Sequence, residues 1–333
     1  YCSNDFISSD ILYINKGKQK AFANVIRDAT AHTSLYGMGV DIADFNNDGL
    51  PDIFQLDMLP EENARQKMML AGQDYDRKEL SIAEPYLYQM QYMRNSLQLN
   101  LGRVNNVTLK TADVPEIPHF SEIGLLAGVA KTDWSWSALF GDYDNDGRKD
   151  LFITNGYRRD VTDRDFIQFT EEFSGFGTTE FQKDKREELM KKVPEVRVPN
   201  YAYRNTADLT FSDVSNEWGL ASMDYCSGAS YADLDNDGDL DLVVNAVDSE
   251  ALVYRNTTQQ TAPKHYLSVH IDGEAGNRQG IGTKVTVWTG KEMQYSELFV
   301  VRGYQSSVEP ALHFGVGEST LIDSLRIEWP DGK

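Results

Sequence analysis

Three nine-residue stretches repeat one arrangement of oxygen-bearing side chains: Asp44-Phe45-Asn46-Asn47-Asp48-Gly49-Leu50-Pro51-Asp52, Asp142-Tyr143-Asp144-Asn145-Asp146-Gly147-Arg148-Lys149-Asp150 and Asp233-Leu234-Asp235-Asn236-Asp237-Gly238-Asp239-Leu240-Asp241. Each places an acid or amide at its first, third, fifth and ninth positions and its only glycine at the sixth. Ca²⁺ takes six to eight oxygens at about 2.3–2.6 Å, so side chains in this spacing, joined by the backbone carbonyl of the seventh residue (Leu50, Arg148 or Asp239), can converge on one ion. The glycine lets the chain turn at positive φ, where a Cβ would clash. Without a cation, carboxylates this close together repel. The expected cofactor is Ca²⁺, one ion per loop.

An EF-hand loop opens the same way, but it needs a bidentate Glu at its twelfth position and a helix on each side. The residues at that position are Gln55, Ile153 and Val244. The runs that follow the loops, Ile53-Phe54, Leu151-Phe152-Ile153 and Leu242-Val243-Val244, are short, apolar and β-branched, which is how strands read. The loops are therefore expected to join pairs of β-strands.

The rest of the chain fits a fold made of repeats. Leu12-Tyr13-Ile14-Asn15-Lys16-Gly17, Leu97-Gln98-Leu99-Asn100-Leu101-Gly102 and Tyr203-Arg204-Asn205-Thr206 each lead, through a downstream Phe, to one of the loops, and Val253-Tyr254-Arg255-Asn256 is a fourth opening without a loop. About four short strands per unit, separated by Gly, Asn and Asp turns, describe a propeller blade. Successive loops begin 98 and 91 residues apart, more than one blade of about 40–50 residues. Two insertions rich in helix formers, about 60–96 and 158–199, account for the surplus. Tyr1-Cys2-Ser3 reads like a strand leaving an earlier loop, so further blades are expected upstream.

Past Gln259-Gln260-Thr261-Ala262-Pro263 the acidic loops stop. Strands are expected at 265–272, 285–288, 298–301 and 325–329, and residues 264–333 form a separate small β domain. The expected fold is all-β: a partial β-propeller over 1–258 with calcium loops and helical insertions, followed by a β-sandwich-like domain.

Net charge is −20, which argues against nucleic-acid or anionic-membrane partners, since those call for basic stripes. Twelve of the acids lie in the loops, so three Ca²⁺ would move the net charge to −14. No run approaches the roughly 18 apolar residues of a membrane span. Cys2 and Cys226 read as buried free thiols, with a disulfide as the alternative. Trp134 and Trp136 alternate on a strand, as inter-blade core or as a stacking platform for sugar. Asn106-Val107-Thr108 and Asn256-Thr257-Thr258 are glycosylation sequons.

The loops and their Asn-containing openings resemble the FG-GAP or VCBS repeats of integrin-α-type propellers. The tail, through Asn277-Arg278-Gln279-Gly280-Ile281-Gly282-Thr283-Lys284-Val285, Gly303-Tyr304-Gln305-Ser306 and Leu312-His313-Phe314-Gly315-Val316-Gly317, resembles the ASPIC/UnbV domain. The pairing is similar to cartilage-acidic-protein-like proteins and to VCBS-repeat surface proteins of Bacteroidota. It implies a propeller of about seven blades with calcium at blade edges, at the outside of a cell or on an outer membrane. The metal roles carry over to Asp44, Asn46, Asp48 and Asp52, to Asp142, Asp144, Asp146 and Asp150, and to Asp233, Asp235, Asp237 and Asp241. Asn46 stands where an Asp is usual, which lowers the ligand charge of the first loop.

No catalytic constellation is present. The five histidines show no HExxH spacing and no serine lies in GxSxG; His313 reads as part of a turn. The glycines around Thr283-Lys284 run in the wrong order for a phosphate loop. The chain is expected to be a non-enzymatic surface module that binds a protein or polysaccharide, with an outer-membrane assembly as one setting. The alternatives are a propeller-based lyase or hydrolase, which needs only two acids about 5–10 Å apart, and a purely structural scaffold.

Overall fold

The computed structural model describes residues 1–5, 8–17, 20–69, 89–105, 116–168, 191, 193 and 195–332. Three antiparallel sheets carry the acidic loops. The first runs Val40–Ala43, Asp52–Gln55, Ser96–Asn105, Glu116–Glu122; the second runs Ser135–Gly141, Asp150–Asn155, Tyr201–Asn205, Phe211–Asp213; the third runs Tyr225–Ala232, Asp241–Val247, Leu252–Tyr254. Each acidic loop joins the first strand of its sheet to the second, as expected. The first strands of neighbouring sheets pack against one another, so the sheets radiate from a common axis like propeller blades. Among the described residues no sheet closes on itself.

Period-two alternation explains why the sheets stack. On strand Asp150–Asn155, Leu151 and Ile153 enter the core shared with the first sheet, beside Phe54 and Phe140, while Phe152 enters the core shared with the third, beside Val244 and Leu242. Ser135–Gly141 divides likewise, with Ala138 and Phe140 on one side and Leu139 on the other. A third core joins Ile53, Ile117 and Phe120 to Leu12, Val25 and Ile26 of the N-terminal segment, where Tyr13–Ile14 pairs with Ala23–Asn24. Having both faces buried, these strands read as continuous apolar runs.

The boundaries of the repeat differ from the expected ones. The segments read as openings of a new unit are the third strands of the preceding sheet: Ser96–Asn105 pairs with Asp52–Gln55, Tyr201–Asn205 with Asp150–Asn155, and Leu252–Tyr254 with Asp241–Val247. The fourth opening therefore completes the third sheet, and needs no loop of its own. The order of strands along the chain is the same in either phase, so sequence alone could not fix the starting point.

Within the expected insertion at 60–96, Asn63–Met68 is helical, 70–88 lies outside the described residues, and Gln91–Tyr92 is a strand paired in parallel with Thr33–Ser34. Of the expected insertion at 158–199, residues 164–168 are helical and 169–190 lie outside the described residues. So does Asn106 of the first sequon.

Among its described residues the C-terminal domain has three small sheets, one of them the short pair Val301–Arg302 and Ser306–Ser307. His265–His270 pairs with Ala311–Gly317, and Lys284–Thr289 lies between Glu292–Glu297 and Ser324–Glu328. Val285, Val287, Leu298, Leu312 and Phe314 form their shared core. Two expectations fail here. Leu298 to Val300 are not a strand; Leu298 is instead fixed to its neighbours by backbone bonds to Gly282 and Thr283. His313 lies on strand Ala311–Gly317 and not in a turn. The cysteines are both free, Cys226 buried and Cys2 exposed, so the expectation of two buried thiols holds for Cys226 alone.

Candidate metal centres

The three loops share one hydrogen-bond plan. The first-position carboxylate accepts the amides of the fifth and sixth residues: Asp44 from Asp48 and Gly49 (3.0 and 2.8 Å), Asp142 from Asp146 and Gly147 (3.0 and 2.8 Å), Asp233 from Asp237 and Gly238 (3.1 and 3.0 Å). The ninth-position carboxylate closes the loop by accepting the amide of the second residue, Phe45, Tyr143 or Leu234, at 3.2, 3.1 and 3.0 Å. The fifth-position carboxylate accepts the amide of the seventh residue at 2.8, 2.9 and 3.1 Å. This tight wrap requires two positive-φ residues per loop, the fourth-position asparagines Asn47, Asn145 and Asn236 and the sixth-position glycines.

An asparagine from the third strand completes each loop. The amides of Asn100, Asn205 and Asn256 donate to the ninth-position Asp52, Asp150 and Asp241 at 2.8, 3.0 and 2.7 Å, and their side-chain nitrogens donate to the carbonyls of Pro51, Lys149 and Leu240. Asn205 and Asn256 also reach back to the preceding loop, donating to Phe45 O and Tyr143 O at 2.8 and 2.7 Å. The sequence showed these residues as the Asn of each opening, but their work across the sheet boundary could not be read from spacing. The Asn256 side chain, read as a sequon acceptor, is committed to these carbonyls.

The oxygens meet the demands of a hard cation. In the second loop Asp142, Asp144 and Asp146, and in the third Asp233, Asp235 and Asp237, bring carboxylate oxygens within 4.8 Å of one another. Two oxygens bound to one Ca²⁺ can lie no more than about 5 Å apart, twice the bond length. At the same three positions the first loop offers Asp44, Asp48 and Asn46, whose amide donates to Asp48 at 2.9 Å. Asp239 turns its side chain away, accepting from Asn145 Nδ2 and the Gln259 amide at 2.9 and 2.7 Å, so it presents only its backbone carbonyl to the loop. Leu50 and Arg148 likewise have only a carbonyl to offer.

Electrostatics point the same way. Burial pushes the Asp44 carboxyl up to about 6, Asp142 up to about 7 and Asp52 up to about 8, and holds Asp150 well above the usual range. A cation at the centre of each loop offsets that cost. Toward solvent the loops are already flanked by positive groups: Arg204 and Lys264 lie 3.2 and 3.3 Å from Asp144, Arg148 lies 3.2 Å from Asp146, and Arg255 lies 2.7 Å from Asp235.

Neighbouring loops are tied together. Asn47 Nδ2 donates to Gly147 O at 2.9 Å, and Asn145 Nδ2 donates to Gly238 O at 3.0 Å. The fourth-position asparagines of the first two loops thus each grip the glycine carbonyl of the next loop. The C-terminal domain sits over all three: a Cβ on Gly49 would press on Met293, one on Gly147 on Gln294 and the Gly315 carbonyl, and one on Gly238 would overlap the Tyr266 ring. The glycines are needed for this close approach as well as for φ.

Trp134 and Trp136 are half-buried; Trp134 stacks on Tyr157 with centroids 3.8 Å apart, and Trp136 packs on Tyr304 of the C-terminal domain at 4.9 Å. They form a half-buried aromatic stack outside the buried cores between the sheets, and Trp134 precedes strand Ser135–Gly141, so the expectation of inter-blade core is not met. The nearby acids Asp133 and Asp160 are both held by Arg65.

Comparison with family models gives two matches: residues 195–244 to an FG-GAP-like repeat and residues 273–333 to ASPIC and UnbV. The first contains the third loop, and the second covers most of the C-terminal domain. No curated protein gives a significant match. Among the described residues no helix is long and apolar enough to cross a membrane.

Proposed function

From the premise that this chain carries an FG-GAP-like repeat and an ASPIC and UnbV domain, we propose that it is a calcium-binding, non-enzymatic recognition module at the outside of a cell. What carries the reading is the identical wiring of three acidic loops at equivalent points of three sheets. Asp44, Asn46, Asp48, Asp52 and the Leu50 carbonyl would hold one ion. Asp142, Asp144, Asp146, Asp150 and the Arg148 carbonyl would hold a second, and Asp233, Asp235, Asp237, Asp241 and the Asp239 carbonyl a third. Calcium supplies fixed charge to turns that otherwise crowd like charges, and binding to the folded state alone stabilises it in proportion to RT ln(1 + [Ca²⁺]/Kd).

The partner in this reading is a protein or polysaccharide at the cell surface, with a subunit of an outer-membrane assembly as one form. The loop crown lies beneath the C-terminal domain, so calcium acts by shaping the platform and not by bridging to the partner. The acids nearest the tryptophans favour binding over turnover, because Arg65 engages both Asp133 and Asp160. Immobilised full chain exposed to solubilised surface material, in calcium and in chelator, tests this. Retention of a defined protein or glycan in calcium alone is expected; equal retention in both, or turnover of a polysaccharide panel, contradicts it.

A further inference from the structure

We infer that calcium in the second loop and the seating of the C-terminal domain on the propeller are one linked equilibrium, so that the domain is held down as a calcium-dependent cap. This rests on the calcium reading of that loop and adds a response to it.

The contacts are concentrated on one loop. Asp142 Oδ2 accepts two amides, Gly147 from its own loop at 2.8 Å and Gly315 from the C-terminal domain at 3.0 Å. The equivalent oxygens of Asp44 and Asp233 accept the loop glycine, and among the described hydrogen bonds neither takes an amide from the C-terminal domain. Strand Ala311–Gly317 makes three further bonds there. Gly317 donates its amide to Asn145 O at 3.0 Å, the His313 ring pairs with Asn145 Oδ1 at 2.6 Å, and Lys149 Nζ donates to His313 O at 3.3 Å. Asn145 gives both side-chain protons to the third loop, at Gly238 O and Asp239 Oδ1. Its Oδ1 must therefore accept, and His313 Nε2 carries the proton.

These acceptors stand in place only while the loop is wrapped. The wrap sets Asn145 at φ near 57° and Gly147 near 93°, which places the Asn145 carbonyl and side chain toward strand Ala311–Gly317. An ion held by Asp142, Asp144 and Asp146 would supply the charge that keeps that wrap closed, while the Asp142 carboxylate keeps its bond to the Gly315 amide. By reciprocity, a seated strand that selects the wrapped loop must raise its calcium affinity by the same factor. The second loop also touches both neighbours, through Asn47 and Asn145, so the response extends along the crown.

Seating reaches further than the loops. The segment Val301–Ser307 runs along the axis between the sheets: Arg302 bonds to Asp41 and Phe140 O, the Tyr304 amide to Ser137 Oγ at 3.3 Å, and Ser307 O accepts from Ser230 Oγ at 2.7 Å. Undocking the domain would open that axis.

The test is calorimetric calcium titration with hydrogen exchange on the full chain. Calcium should slow exchange at the Gly315, Gly317 and Tyr304 amides. Gly315→Ala, whose Cβ would collide with the Asp142 carboxylate and the Asn145 backbone, should keep its circular dichroism but bind calcium at the second loop about tenfold more weakly. His313→Phe, which loses the donor without opening a cavity, should shift affinity the same way by a smaller factor. Asp146→Asn, whose described side-chain bonds go to Arg148 and none to the C-terminal domain, should abolish the calcium response of the tail amides. Calcium heat with unchanged tail exchange, or unaltered affinity in both tail variants, overturns the linkage alone. No calcium heat at all overturns both the linkage and the metal assignment beneath it.

Discussion

Arg302 lays its guanidinium along the carboxylate of Asp41, with Nε 2.8 Å from Oδ1 and Nη2 2.6 Å from Oδ2, where the first strands of three sheets meet. Asp41 also accepts the Phe140 amide at 2.7 Å, and Arg302 contacts the Tyr231 hydroxyl. One residue of the C-terminal domain therefore bonds to all three inner strands. Asp41 is 1% exposed, so removing its partner strands a buried charge, which costs about 3–5 kcal/mol. Arg302→Ala should lose that much in chemical denaturation followed by far-ultraviolet circular dichroism. A loss below about 1 kcal/mol, the value of an exposed ion pair, would show that the contact does not clamp the axis.

Asn205 gives a second prediction. Its side chain donates to Phe45 O and Lys149 O and accepts from the Ala207 amide at 3.0 Å, spanning two loops. Asn205→Ala leaves two buried carbonyls unpaired, at about 1–3 kcal/mol each. Asn15, the matching residue of the first opening, is exposed and among the described bonds accepts only the Gly17 amide, so Asn15→Ala should cost about 0.5 kcal/mol or less. Urea midpoints of the two variants, measured side by side, test the difference; equal shifts would mean that the inter-loop bonds contribute nothing.

The response to pH should change sign with calcium. In the metal-free chain burial raises Asp44 to about 6, Asp142 to about 7 and Asp52 to about 8, above an unfolded value of about 3.9. A carboxyl with a raised folded pKa contributes stability that is present below the unfolded pKa and is lost as pH rises through the folded one. Chelated protein should thus melt at lower temperature at pH 8 than at pH 6. Ion binding requires those carboxylates to be ionised, so calcium-loaded protein should melt higher at pH 8 and calcium should release protons near pH 6. Scanning calorimetry at both pH values, with calcium and with chelator, reads the two slopes; slopes of the same sign would contradict the assignment.

The acidic loops were legible because their pattern is local: nine consecutive residues hold the four side chains proposed to meet one ion. The strands around them were legible from their β-branched runs, and the change of texture near Pro263 marked the C-terminal domain. What escaped was contact between distant segments. Leu252–Tyr254 looked like the start of a unit because only its pairing with Asp241–Val247 shows otherwise. His313 reads as a turn residue in the sequence, yet it lies on a strand whose Gly315 must approach the Asp142 carboxylate. Lys149 is 6% exposed, with its ammonium against the Phe314 ring. Nothing in its local sequence says that a strand more than one hundred and sixty residues away will cover it.

The central claim is that the acidic loops exist to hold calcium, and the most direct measurement is the number of ions bound by the full chain. Chelator-stripped protein titrated with CaCl₂ in a calorimeter should take up three Ca²⁺ per chain, with Asp44→Ala, Asp142→Ala and Asp233→Ala each removing one. No uptake at millimolar calcium, or uptake that these substitutions leave unchanged, would contradict the account.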